Sequence, residues 1–141
     1  MGNLRDVRVG DQLTGFSRTT DLENWNRYAA VNDEFFPIHM DDKAGQEAGY
    51  PSAFGMGNLL WAYMHNALRE WLAEDGEIKS LSCQFRSPNL RNMTVSVRGV
   101  VTEVTRRADG SYVSFDLRTE SDAGETLAPG RAVVVLDKVN G

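Results

Sequence analysis

A chain of 141 residues with 41% hydrophobic and 25% charged residues fits one globular domain with a real core and leaves little room for a second. Its formal net charge of −5 argues against a general nucleic-acid or anionic-membrane binder, since both need a basic face, while a local basic pocket for a phosphorylated ligand stays compatible with it. Residues 1–6 lack the apolar stretch of a signal peptide. No run approaches the ~18 apolar residues of a bilayer span. A single cysteine, Cys83, cannot form an internal disulfide. The expectation is one domain over residues 1–141 in a reducing cytoplasm.

A first strand is predicted over residues 12–18. Thr20 then offers a helix N-cap, and Glu23 three residues on completes a capping box. Leu22, Trp25, Tyr28 and Ala29 follow at helical spacing, in a helix that ends near Val31. The run from Asn32 to His39 is irregular, because Pro37 breaks a helix and pushes Phe36 toward an extended backbone. A short helix is predicted over residues 43–48, capped by Asp41 or Asp42 and ended by Gly49. The spacing of Met56, Leu59, Leu60, Tyr63, Met64, Ala67, Leu68, Trp71 and Leu72 then predicts a long helix over residues 54–73. Beyond Asp75-Gly76 the period changes to two: Leu81, Cys83 and Phe85, then Val95 and Val97, then Val113, Phe115 and Leu117, and a last strand over residues 132–136. Val100, Thr102 and Val104 lie on the opposite parity from Val95 and Val97, which predicts a bulge near Gly99. Asp109-Gly110 and Ala123-Gly124 mark hairpin turns. The fold class is α+β, with sequential antiparallel strands against one apolar helix.

Two segments carry candidate chemistry. Asp33, Glu34 and His39 share a short irregular stretch beside Phe35, Phe36 and Ile38. A carboxylate and an imidazole on one side of a cavity suit water activation, one taking a proton while the other holds or returns it. The same residues also suit a solvated loop with a hydrogen-bonded structural histidine. The second segment, Ser52-Ala53-Phe54-Gly55-Met56-Gly57, places glycine at a helix N-terminus, where free N–H groups and the helix dipole can hold a thioester oxygen as charge develops on it. The alternative is that these glycines only let the helix pack closely on the sheet. Arg86, Arg91 and Lys79 flank a strand end and are candidates for phosphate contacts or for ordinary rim charges. No Cys/His cluster has zinc spacing and no phosphate-binding loop or dinucleotide fingerprint is present, so neither a metal nor a redox cofactor is expected.

In this order the two segments resemble the MaoC-like (R)-specific enoyl-CoA hydratases and dehydratases. The match comprises Tyr28 before the loop, Glu34 or Asp33 as the acid, Pro37-Ile38-His39, Asp41, the Gly55-Met56 helix opening and Gln84-Phe85-Arg86-Ser87-Pro88. It runs from about Gly10 to Leu136. The resemblance implies a hotdog fold, an antiparallel sheet around a long central helix, paired as a homodimer or with a second hotdog chain. It implies hydration of trans-2-enoyl-CoA, or dehydration of (R)-3-hydroxyacyl-CoA, in fatty acid or steroid metabolism, with CoA entering only as part of the substrate. In those terms His39 and Glu34 or Asp33 hold the catalytic water, the Gly55 N–H holds the thioester oxygen, and Phe36, Met56, Leu60 and Met64 line the acyl pocket, with Arg86 and Arg91 near the CoA phosphates. The sequence departs from the family pattern at three points. Glutamate stands five residues before the histidine, Phe36 replaces the usual asparagine before proline, and Phe54 replaces the frequent histidine before Gly55. These departures keep two alternatives open, a partner-dependent subunit of a heteromeric hydratase and an acyl-CoA thioesterase using Asp33, Glu34 or Ser52.

Overall fold

The computed structural model describes residues 6–32 and 36–137. Five antiparallel strands, β1 (Gln12–Thr20), β2 (Gly76–Cys83), β3 (Met93–Arg107), β4 (Gly110–Glu120) and β5 (Thr126–Asp137), form one sheet in the order β1-β3-β4-β5-β2. Three α-helices, α1 (Leu22–Asn32), α2 (Asp42–Glu47) and α3 (Gly57–Leu72), lie between β1 and β2, with a 3-10 turn at Pro37–His39. Helix α3 buries Leu59, Leu60, Tyr63, Met64, Ala67, Leu68 and Leu72 and packs against β1, β2, β3 and β4. The sheet meets it with Val95, Val97, Val101, Val113, Phe115, Leu117 and Val134, each contributing about 1.5–3 kcal/mol by leaving water. This is the hotdog arrangement that the resemblance implies.

The strands are antiparallel as predicted, but not all pair in sequence. β3, β4 and β5 form a meander, whereas β2 pairs with β5 and β1 with β3, so β1 and β2 take the two edges. Period-two patterning identifies a strand without identifying its partner. The bulge in β3 lies at Thr102, not Gly99. Val101 pairs with Phe115 and Glu103 with Ser114, so inward parity persists through Val95, Val97, Gly99 and Val101 and changes only afterwards. At Gly99 itself the packing is close: a Cβ there would lie 2.5 Å from Leu117 Cδ2 and would have to displace that side chain.

The capping of α1 is displaced by one residue from the prediction. Thr20 ends β1, and its hydroxyl donates to Asn89 Oδ1 at 2.8 Å. Asp21 caps instead, accepting from the Leu22 N–H at 2.8 Å while its own N–H donates to Asn24 Oδ1 at 3.1 Å. The long helix begins at Gly57, three residues later than predicted, because Phe54 forms a β-bridge with Leu90 and the Gly55 N–H donates to the Asn89 carbonyl. Phe85 lies beyond the end of β2 and is 53% exposed.

Candidate functional site

The site is assembled by the irregular chain between α1 and α3. Phe36 is extended (φ −89°, ψ 130°) and Pro37 opens the following turn, which brings up His39. The His39 Nδ1 lies 2.7 Å from the Phe54 carbonyl oxygen. A carbonyl only accepts, so in the neutral ring Nδ1 carries the hydrogen and Nε2 is the basic nitrogen. The contact is reinforced from the other side, where the Phe54 N–H donates to the Ile38 carbonyl at 3.1 Å. Ring contacts to Phe54 (5.4 Å) and Phe36 (6.4 Å), both edge-on, fix the imidazole plane further.

Helix α2 anchors the same loop. Asp41 caps it by accepting from the Lys43 and Ala44 N–H groups, and Gly49 (φ +97°) ends it. Asp42 faces across the loop and accepts from the Ala53 N–H at 3.1 Å. Its second oxygen accepts from Arg91 Nη1 at 2.8 Å, and Arg91 Nε donates to Asp21 at 2.6 Å. The Arg91 hydrogen bond, with help from the Leu22 N–H, holds the Asp21 carboxyl below the usual carboxylate range. Residues Asn89, Leu90 and Arg91 thus lie across the Ala53–Gly55 segment as a strap, joined to it directly at Gly55 and Phe54 and, through Asp42, at Ala53.

A cavity of about 240 Å³ opens beside this strap, lined by Tyr50, Phe54, Gly55, Gly57, Leu60 and the Phe85–Asn89 segment. The first N–H groups of α3, on Gly57 and Asn58, have no intrahelical acceptor, and the N-cap residue Met56 offers no side-chain cap. The Gly55 N–H, expected to be free for a thioester oxygen, instead donates to the Asn89 carbonyl at 2.7 Å. Gly55 is needed for a steric reason, since a Cβ would lie 2.6 Å from Trp25 Nε1 and 2.9 Å from Asn89 Nδ2. Both of those nitrogens are buried and meet no acceptor among the described residues.

His39, Phe36, Gly55, Leu60 and Arg86 are therefore brought to one end of α3, whereas other candidates are placed elsewhere. Asp33 and Glu34, the candidate acids, lie outside the described residues. Met56 and Met64, expected in the acyl pocket, are 3% and 0% exposed and belong to the core. Leu60 touches the cavity, and Phe36 is 57% exposed. Arg86 is exposed and lines the cavity, donating to Gln84 Oε1 at 3.1 Å. Arg91 is not free for a CoA phosphate, because two carboxylates already hold it. Ser52 donates to the Ala53 carbonyl at 2.7 Å, and Lys79 pairs with Glu77. Sequence reasoning missed Asn89, Asp21, Asp42 and Trp25 as site residues. Only the polar Asn89 directly after Pro88 offered a local signal.

Comparison with known proteins places this geometry in a family. A family model described as MaoC like domain matches residues 7–122. The (R)-hydratase from A. caviae involved in PHA biosynthesis superposes with a TM-score of 0.83 at 22% identity, over 94% of this chain and 98% of that one. The R-hydratase PhaJ1 from Pseudomonas aeruginosa gives 0.84 at 17% identity, over 96% and 85%. A chain of the ChsH1-ChsH2 complex from Mycobacterium tuberculosis gives 0.80 at 19%, over 92% and 98%. No curated protein sequence matches the chain significantly. At these identities the superpositions establish the fold, and with the family model covering most of its length the chain belongs to the MaoC-like dehydratase family.

Proposed function

We propose that the chain hydrates trans-2-enoyl-CoA thioesters, or dehydrates (R)-3-hydroxyacyl-CoA in the reverse direction, as a lyase with no cofactor beyond the substrate's own CoA. The observation that carries this reading is the 2.7 Å contact of His39 Nδ1 with the Phe54 carbonyl, which leaves Nε2 as base next to the opening of α3. As water oxygen bonds to Cβ, Nε2 takes its proton, and the electrons of the C=C bond move toward the thioester oxygen. Asp33 or Glu34 holds the water, and return of the proton from Nε2 to Cα completes the addition and restores the neutral imidazole. The first-turn N–H groups of α3 hold the thioester oxygen, Gly55 joining them only where the Asn89 carbonyl releases its N–H. The acyl group enters between Phe36, Phe54, Leu60 and Phe85, with Arg86 at the mouth for CoA phosphate. The protein works in the cytoplasm as a dimer that covers the exposed edges of its sheet.

A second reading has its own support. Phe54 packs at 4.4 Å from Tyr50 and 5.4 Å from His39, filling with apolar rings a place where family members often carry histidine. That favours a subunit completed by a second hotdog chain, as the heteromeric ChsH1-ChsH2 neighbour illustrates for its own case. The test is turnover of short, long and ring-bearing enoyl-CoA thioesters by the purified protein, following enoyl absorbance and free thiol together. Hydration is expected to remove absorbance without thiol, and His39→Ala to lower it by about 100-fold or more. Thiol release identifies a thioesterase. Silence from a folded protein, relieved by a partner chain, establishes the second reading, and full activity of His39→Ala removes His39 from the mechanism.

A further inference from the structure

We infer that Arg91 is a positioning residue for His39, acting through Asp42 and the Ala53–Phe54 backbone to set which imidazole nitrogen is the base. The role assigned to His39 rests on the proposed hydration, but the positioning does not. The connection consists of directed hydrogen bonds joined by the short stretch of backbone from Ala53 to Phe54. Asp21 accepts from Arg91 Nε at 2.6 Å, and Arg91 Nη1 donates to Asp42 Oδ2 at 2.8 Å. Asp42 Oδ1 accepts from the Ala53 N–H at 3.1 Å, and one residue further along the backbone the Phe54 carbonyl accepts from His39 Nδ1 at 2.7 Å.

The arrangement has features of a positioning device rather than of a surface ion pair. Arg91 uses its fork on two carboxylates from different elements, the start of α1 and the start of α2. Asp42 divides its two oxygens between that guanidinium and one backbone N–H, so the carboxylate cannot rotate without losing a bond. Leu90, the residue before Arg91, bridges Phe54 directly, and Asn89 takes the Gly55 N–H. The Phe54–Gly55 peptide, whose oxygen sets the His39 tautomer, is held at its own N–H by the Asn89 carbonyl, and the Ser52–Ala53 peptide leading into it is held by Asp42 and Arg91. Without Arg91, Asp42 is free to turn toward solvent, the Ser52–Ala53 peptide loses its anchor, and the segment that carries the acceptor for Nδ1 is held by fewer bonds.

The experiment uses the full chain and reads the imidazole directly. The protein has two histidines, so 15N spectra give two pairs of ring-nitrogen signals, and His65→Gln assigns them. Wild type is expected in the Nδ1–H tautomer at His39. Arg91→Ala and Asp42→Asn should shift His39 toward a mixture with the Nε2–H form, and Arg91→Lys should restore it in part. With trans-2-butenoyl-CoA as probe, Arg91→Ala should lower kcat by about 10–100-fold with KM changed less than about three-fold. An unchanged His39 tautomer in a folded Arg91→Ala protein overturns the inference. If that variant does not fold, Asp42→Asn, which keeps an oxygen for Ala53, decides in the same way. Absence of wild-type turnover would remove the hydration reading and leave the tautomer measurement standing.

Discussion

The two halves of this molecule are held by different physics. Around α3 and the sheet, stability comes from apolar side chains such as Leu68 and Phe115, 0% and 1% exposed, whose contribution is non-directional and survives small displacements. Around His39 it comes from a few polar bonds between residues distant in sequence, Arg91 to Asp21 and Asp42, Thr20 to Asn89, and Gly55 to Asn89. Such bonds are directional and fail over fractions of an ångström. The difference teaches that damage to the core should be read in stability, and damage to the strap in the geometry of one imidazole.

The largest effect tests the core half. Phe115 packs edge-on against Trp71 at 5.1 Å, and Phe115→Ala should lower stability by about 3–5 kcal/mol, seen as a shifted urea midpoint. Activity per folded molecule should remain near that of wild type; a large loss there would break the division between the halves. A pair of glycines then sharpens it. A Cβ at Gly55 meets buried Trp25 and Asn89 atoms, whereas one at Gly57 meets the Phe85 ring at 2.7 Å, and that ring is 53% exposed and able to swing outward. Gly55→Ala should therefore cost about 1–3 kcal/mol and most of the turnover. Gly57→Ala should be nearly neutral in stability, because helix propensity returns up to about 1 kcal/mol. Thermal or urea unfolding of both variants checks this, and equal destabilisation would show that the strap is no more rigid than the rim.

The same division explains what the sequence made legible. Core elements repeat a period, so α3, the alternating strands and the Gly124 turn (φ +83°) could be read locally. The histidine and the helix opening were also legible, because Pro37, Gly55 and Gly57 mark the local backbone. The strap was not. Nothing near Arg91 signals that Asp21 and Asp42, 70 and 49 residues away in sequence, will accept from it, and a rim arginine flanking a strand resembles a phosphate ligand. The edge positions of β1 and β2 were hidden for the same reason, since pairing is decided by long-range packing rather than by pattern. Met56 and Met64 are buried in the core, since helical spacing gives the face that points inward but not whether a cavity lies there.

The smallest effect concerns acid. Its hydrogen bond from Arg91, followed by the one from the Leu22 N–H, lowers the Asp21 pKa in the folded protein. The unfolded chain therefore binds the proton first as pH falls. Stability from this group is fully present above about pH 4, the ordinary aspartate value, and is lost as pH drops through the lower folded value. Glu120, bonded by Arg118 and Arg98, is shifted in the same direction, so the wild-type slope alone does not isolate the strap. Asp21→Asn keeps an oxygen for the Leu22 N–H and removes both the titration and the charge that pairs with Arg91. The loss of urea stability between pH 5 and pH 3 should be smaller in Asp21→Asn than in wild type, by a fraction typical of partly exposed pairs, about 1 kcal/mol or less. Equal losses in the two proteins would mean that the Arg91–Asp21 pair is screened by solvent, and that the strap is held against the site by its other bonds, those of Asn89, Leu90 and Asp42.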